Sequence, residues 1–242
     1  MARVPHADDR SASLDLTTSE IRHLARALCR PVGRYTYERA AHLAGVPQRT
    51  LHHWARQGSF VPDFNHLHPK QWSYRDLVLV RLFVWLRTEG QTPEEASKRV
   101  VMVRCALEQA TAGAVPALHG DRHALLVGDE AFDRLSGEQV LSGLGSYLNV
   151  FDFAQAVPDM PRRAWGPNLV RPSTWTSILP LVMAGEPCIV TTRITTASVW
   201  ALRHQRGLDD NEIVALYPGI EAEQVADAAA LEAKLRPALV AA

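Results

Sequence analysis

The sequence predicts a mainly α-helical chain: a winged helix-turn-helix at the N-terminal end, a small antiparallel β segment in the middle, and a C-terminal three-helix domain of helix-turn-helix-like form. Three observations lead there. The stretch "TYERAAHLAGVPQRTLHHWARQG", Thr36 to Gly58, joins two short helical patterns through a Gly-Val-Pro turn. Residues 115–142 break into short apolar runs separated by Gly-Asp pairs, the punctuation of small strands. From Thr195 onward, cap and stop residues recur often enough to mark three short helices with tight turns.

Taken in order, residues 1–18 are polar, with Asp8, Asp9, Ser11 and Ser13, and are expected to be disordered. The winged helix-turn-helix domain is expected over 19–112. It opens with a helix at 19–30 that presents Ile21, Leu24, Ala25 and Leu28 on one face and ends at Pro31 and Gly33. Thr36 caps the next helix, Gly45 ends it, and a second helix runs over 47–57 to Gly58. Ala40, Leu43, Val46, Leu51 and Trp54 form their shared core. A two-stranded wing is placed at 59–72. Ser73 with Asp76 forms a capping box for "YRDLVLVRLFVWLRTEG", and Thr92-Pro93-Glu94-Glu95 starts a helix that runs to Ala112.

The segment 113–176 holds the β structure, with strands expected at 116–119, 123–127 and 137–142, followed by an irregular connector over 143–176. The C-terminal domain covers 177–242. Thr195 caps "TASVWALRHQRG", Asp209 and Glu212 box the start of "DNEIVALY", and Glu221 opens the alanine-rich last helix.

Hydrophobic residues make up 47% of the 242, enough for buried cores, and no 18-residue apolar run exists to span a membrane. The start lacks a secretory apolar run, so a cytoplasmic chain is expected. Cys29, Cys105 and Cys188 are odd in number and scattered, which implies neither a disulfide framework nor a zinc motif. His52, His53, His66 and His68 lack ligand spacing, so no metal or other cofactor is expected. No carboxylate pair, phosphate loop or nucleophile–base arrangement stands out, and Cys188 has only His204 as a possible base in its domain. No catalytic residue is assigned, and the chain is not expected to be an enzyme.

Zero net charge conceals a polarity. Residues 21–60 carry Arg22, Arg26, Arg30, Arg34, Arg39, Arg49 and Arg56 against one acid, Glu38, whereas 207–242 carry seven acids against Lys234 and Arg236. A basic end suits phosphates, because each one neutralised releases counterions; an acidic end does not. The helix at 47–57 offers Gln48, Arg49, Thr50, His52, His53 and Arg56 on the face opposite Leu51 and Trp54, which is how a recognition helix meets base edges.

The run "YTYERAAHLAGVPQRTLHHWARQGSFVP…WSYRDLVLVRLFVWLRTEG" resembles the winged helix-turn-helix of the MerR family over about 35–110. Arg49-Thr50-Leu51 falls on that family's Arg-Thr-Leu, which implies that Arg49, Thr50, His52 and His53 face double-stranded DNA. The family's Gly-Tyr-Arg-Tyr wing is replaced by "HPKQWSY", leaving Lys70 as the wing's candidate contact.

A second stretch, "GEPCIVTTRITTASVWALRHQRGLDDNEIVALYPGIEAEQVADA", resembles the small helical domain of a family catalogued as of unknown function. Gly185, Pro187, Ile189, Thr192, Arg193, Ile194, Gly207, Ile213, Tyr217 and Pro218 carry the likeness. Members encoded beside PIN-like ribonucleases imply an antitoxin role, and the combination is similar to VapB-type antitoxins. The resemblance thus implies two partners, operator DNA and a PIN-like ribonuclease toxin, with autorepression of the operon. Arg193, Arg203 and Arg206 are the candidate toxin contacts, although Arg193 has a rival role in tying its loop to backbone carbonyls. A homodimer is expected on DNA, with one of the apolar helices 74–88 and 93–112 (Leu79, Phe83, Val84, Leu86, Val100, Val103, Leu107) as candidate surface. The alternative is a MerR-like regulator whose C-terminal half senses a small molecule; a third reading is a helical interaction protein without DNA binding.

Overall fold

The computed structural model describes residues 24, 26–88, 90–112, 124–129, 145–149 and 167–236. A first helix, α1, is described over 26–29. It is followed by α2 (Tyr37–Ala44), α3 (Gln48–Gln57), α4 (Tyr74–Thr88) and α5 (Pro93–Ala112). Strands β1 (Ala124–Asp129) and β2 (Gly145–Asn149) pair antiparallel. After them come β3 (Thr176–Ser177), paired antiparallel with β4 (Cys188–Ile189), and helices α6 (Thr196–Gln205), α7 (Asp210–Leu216) and α8 (Ala222–Leu235). The expected mainly helical class with a small central antiparallel pair is what the chain adopts.

Local signals fix the helix starts. Thr36 accepts a hydrogen bond from the Arg39 amide. Ser73 Oγ accepts from the Asp76 amide at 3.0 Å while Asp76 accepts from the Ser73 amide at 2.8 Å. The same reciprocal pairing joins Thr92 to Glu95 and Asp209 to Glu212. Each such cap satisfies orphan amides at a helix end and stabilises by about 1 kcal/mol. Gly45, Gly58 and Gly207 stand at positive φ where the helices before them stop.

Two expectations need correcting. The loop at 59–72 is no two-stranded ladder; it is closed by single bridges, Phe64 to Gln71 and Tyr35 to Trp72. Pro62, Pro69 and a run without alternation leave few residues that could extend the pairing. The connector expected over 143–176 contains β2, which supplies the partner of β1. The candidate strands 116–119 and 137–142, and the polar 1–18, lie outside the described residues.

The main core joins Leu24, Ala27 and Leu28 to Ala40, Leu43, Leu51, Trp72, Leu77, Phe83, Leu86, Val100, Val103 and Leu107. Leu79, Phe83, Leu86, Val100, Val103 and Leu107 are thereby buried within one chain, so they form no dimer surface; Val84 packs half-buried against them. On α5 Val101 and Met102 are the exposed large apolar residues among the described ones. A second core, of Ile189, Val199, Ile213, Ile220, Val225, Ala228 and Ala229, holds the C-terminal helices together.

Helix α8 serves both cores. Val225, Ala228 and Ala229 face its own domain, while Leu231 and Leu235 belong to the main core with Leu169, Val170 and Ile178. The joint is polar as well as apolar. Tyr35, fully buried, donates its hydroxyl to the Gly185 carbonyl at 2.7 Å. A side chain at Gly185 would bring its Cβ within 2.1 Å of that hydroxyl, and one at Gly33 would meet the Tyr35 ring at 2.8 Å. Both glycines stand at positive φ, so closeness and backbone conformation each exclude other residues.

Candidate nucleic-acid interface

Helix α3 is amphipathic in the way a reading helix must be. Leu51 and Ala55 are buried, and Trp54 packs half-buried with its ring edge on Phe83, centroids 4.7 Å apart. On the other side Gln48, Arg49, His52, His53 and Arg56 are exposed, with Thr50 half-buried. No acid stands in the first turn and no side chain caps the start, so the first amides and the positive helix end are open to an anion.

The face continues onto α2. Tyr37 lies 5.3 Å from the His52 ring and 5.7 Å edge-on from Trp72, so the start of α2 and the middle of α3 share one surface. Lys70 is half-buried on the loop between α3 and α4, with His66 and His68 exposed nearby in sequence. Arg34, exposed, places its guanidinium 5.3 Å over the Phe64 ring of that loop.

A buried ion network anchors the loop. Asp63 accepts from Arg75 at 2.7 Å and 3.1 Å, from Ser73 Oγ at 2.5 Å, and from Arg104 of α5. Arg104 also donates to Asp76 at 2.9 Å, and Asp76 accepts the Asp63 amide at 2.9 Å. Burial works to raise the Asp63 carboxyl, yet the hydrogen bond from Arg75 and the two guanidinium charges hold it below its ordinary value. Asp76 is fully buried, and burial pushes it up to about 6 against the pull of Arg104. The long helix α5 and the loop beside the reading helix are thereby tied together through Arg104.

Arg39 behaves differently from its neighbours. It donates to Glu186 at 2.6 Å and 3.0 Å, and to the two oxygens of Glu232 at 3.0 Å each. Glu232 also accepts from Thr196 Oγ1 at 2.7 Å and from Arg236 at 3.1 Å. Burial acts to raise Glu232, but the Arg39 charge and these hydrogen bonds keep it lower than usual. Arg39 is thus a clasp between the two domains, so the basic excess counted over 21–60 includes one arginine already neutralised. On α2, Arg39 stands about 200° around the helix from Tyr37. The C-terminal domain consequently docks on the back of α2, and the surface shared by Tyr37, His52 and the α3 side chains stays open.

In the C-terminal domain the three candidate arginines part company. Arg203 pairs with Asp210 at 3.4 Å, and Arg206, exposed, follows α6. Arg193 is exposed and makes no hydrogen bond or ion pair among the described residues. The loop-tying role belongs instead to Thr192, whose hydroxyl donates to the Ile189 carbonyl at 2.9 Å and accepts the Ile194 amide at 3.1 Å. Cys188 is buried, which with Glu186 nearby raises its thiol to about 11 and keeps it protonated.

Sequence reasoning missed the clasp and the Arg104–Asp63–Asp76 network. The only local trace was the polar residues on otherwise apolar helices, such as Glu232 within "ALEAKL".

Comparison with known families agrees with this division. Residues 35–100 match the family described as MerR HTH family regulatory protein. Residues 177–231 match the family described as protein of unknown function DUF433. No curated protein and no solved structure is matched. The architecture is that of a helix-turn-helix regulator with a C-terminal domain of the DUF433 kind, and a MerR-like helix-turn-helix implies DNA binding. No helix among the described residues is long and apolar enough to cross a membrane.

Proposed function

We propose that the protein is an antitoxin that binds its own operator and neutralises a PIN-like ribonuclease. The observation that carries the DNA half is the open α3 face, with Arg49, His52, His53 and Arg56 exposed while the second domain sits behind α2. In this reading Gln48, Arg49, Thr50, His52 and His53 meet base edges, and Arg56 and Lys70 meet phosphates. Two copies bind one operator about one helical turn apart, as two major-groove readers on one face of DNA require. The C-terminal domain supplies the surface for the nuclease.

Co-expression with a PIN-like ribonuclease encoded beside the gene tests the reading, and the absence of any such gene would count against it. Wild type should copurify with the nuclease and relieve its growth inhibition; a truncation ending at residue 176, which also removes Ile178, Leu231 and Leu235 from the main core, should do neither while it stays soluble and still binds operator DNA. Rescue by the truncation would refute the assignment of the C-terminal domain.

One observation favours a second reading, a regulator that senses a small molecule. A cleft of about 500 Å³ lies between the helix-turn-helix turn (Gly45, Val46, Pro47) and α8 (Leu231, Lys234, Leu235). Its size suits a small ligand. If that reading holds, DNA affinity changes with cell metabolites and not with the nuclease.

A further inference from the structure

The C-terminal domain carries a second cleft, of about 290 Å³, beside the paired strands β3 and β4. Ser177, Leu179, Val182, Cys188, Thr191 and Arg193 line it. Among the described residues, the non-glycine residues at positive φ are Met183 at 46°, Ala184 at 56° and Thr191 at 63°. All of them stand in the two loops that form this cleft. Left-handed backbone at side-chain-bearing residues is unfavourable and persists only where the surroundings enforce it, commonly at binding sites.

The enforcing contacts are visible. The 183–185 turn is held by the Tyr35 hydroxyl on the Gly185 carbonyl, and the 190–194 turn by Thr192. The Val190 amide donates to the Trp175 carbonyl at 2.9 Å, which ties the second loop to the chain before β3.

The same region concentrates exposed apolar surface. Of the seven large apolar residues exposed among the described residues, three fall within 175–183: Trp175 at 40%, Leu181 at 43% and Met183 at 42%. Leu181 and Met183 flank Val182 in the loop that lines the cleft. Single exposed apolar side chains are ordinary, but here they stand in the same chain segment as Leu179 and Val182, which line the cleft, and such a grouping suits an interaction surface.

Charge specifies what fits. Arg193 is exposed on the cleft wall and has no ion-pair partner among the described residues, and the nearby acid Glu186 is engaged by Arg39. We infer that this cleft docks a protein segment that presents an apolar side chain next to a carboxylate. The apolar group enters between Leu179 and Val182, Leu181 and Met183 cover its sides, and the carboxylate pairs with Arg193. The inference rests on the proposed function in taking the partner to be a PIN-like ribonuclease. It places the contact on the 179–193 loops, with Arg193 and not Arg203 or Arg206 at its centre.

The test compares full-length wild type with Leu181→Asp, Met183→Asp and Arg193→Glu for binding to the purified ribonuclease by calorimetry. All three positions are exposed, so the variants should melt like wild type and bind DNA equally, which shows that they are folded. Each should weaken nuclease binding at least tenfold, and Arg203→Glu should not. Charge reversal of the partner's paired carboxylate to lysine should restore binding to Arg193→Glu. If wild type binds the nuclease and the three variants bind equally well, the cleft is not the docking site although the antitoxin reading stands. If wild type does not bind at all, the reading itself fails and this inference falls with it.

Discussion

Replacing Arg39 by methionine separates the two roles that an arginine in this region could have. Methionine keeps much of the aliphatic volume and removes four charge-assisted hydrogen bonds. Glu232, with 2% of its side chain exposed, would keep only Thr196 and Arg236 as partners. Stranding one member of a buried ion pair costs about 3–5 kcal/mol, and the remaining Arg236 contact puts this case near 3. For a chain of this size that corresponds to a fall of roughly 6–12 °C in melting temperature. Differential scanning calorimetry at neutral pH reads it directly. Glu232→Gln should cost less in the Arg39→Met background than in wild type, since the two share the interaction. The pH dependence has a definite sign. Glu232 has its folded pKa below the ordinary 4.5, so the unfolded chain binds the proton more readily. The clasp therefore contributes fully above about pH 4.5 and is lost as pH falls through the folded value, so the gap between wild type and variant narrows in acid. A melting temperature within a degree of wild type, together with a large loss of DNA affinity, would refute the reasoning and return Arg39 to the phosphate-binding set.

Other outcomes follow from the same geometry. Arg49→Ala should weaken operator binding by roughly 1–3 kcal/mol and relax discrimination at one base position, as a titration against single-base operator variants would show. Gly185→Ala should destabilise by several kcal/mol, about 3 or more, because the new Cβ would lie 2.1 Å from the Tyr35 hydroxyl at a φ of 84°; Tyr35→Phe in the same background should recover part of the loss. Ser73→Ala removes one cap of α4 and a ligand of Asp63, so chemical denaturation should show a loss of about 1–2 kcal/mol.

What could be read in advance was local. Caps such as Thr36, Ser73 with Asp76, and Asp209 with Glu212 act across three residues, so their spacing alone announces them. The exposed row on α3 follows from helical periodicity once Leu51 and Ala55 are placed inside. The clasp was beyond such reasoning because Arg39 meets carboxylates 147 and 193 residues away. For the same reason Arg39 entered the basic count as if free. β2 has Gly143 before it and Gly145 at its start but no comparable breaker after Asn149, and a two-stranded pair is specified as much by its partner as by its own residues. In the Thr-Arg-Ile turn, attention to the long charged side chain obscured the short one: Thr192 is close enough to bond its own loop, which leaves Arg193 pointing outward.

The central claim is that α3 reads DNA while the C-terminal domain is clasped to the back of α2. Fluorescence anisotropy against the duplex upstream of the gene, over a series of salt concentrations, tests it most directly. Wild-type affinity should fall steeply with salt, and Arg56→Ala should reduce the slope of log K against log salt by about 0.9, the value of one phosphate contact. Arg39→Met, measured where it is still folded, should leave the slope unchanged. The opposite pattern, with a slope altered by Arg39→Met and untouched by Arg56→Ala, would contradict the account.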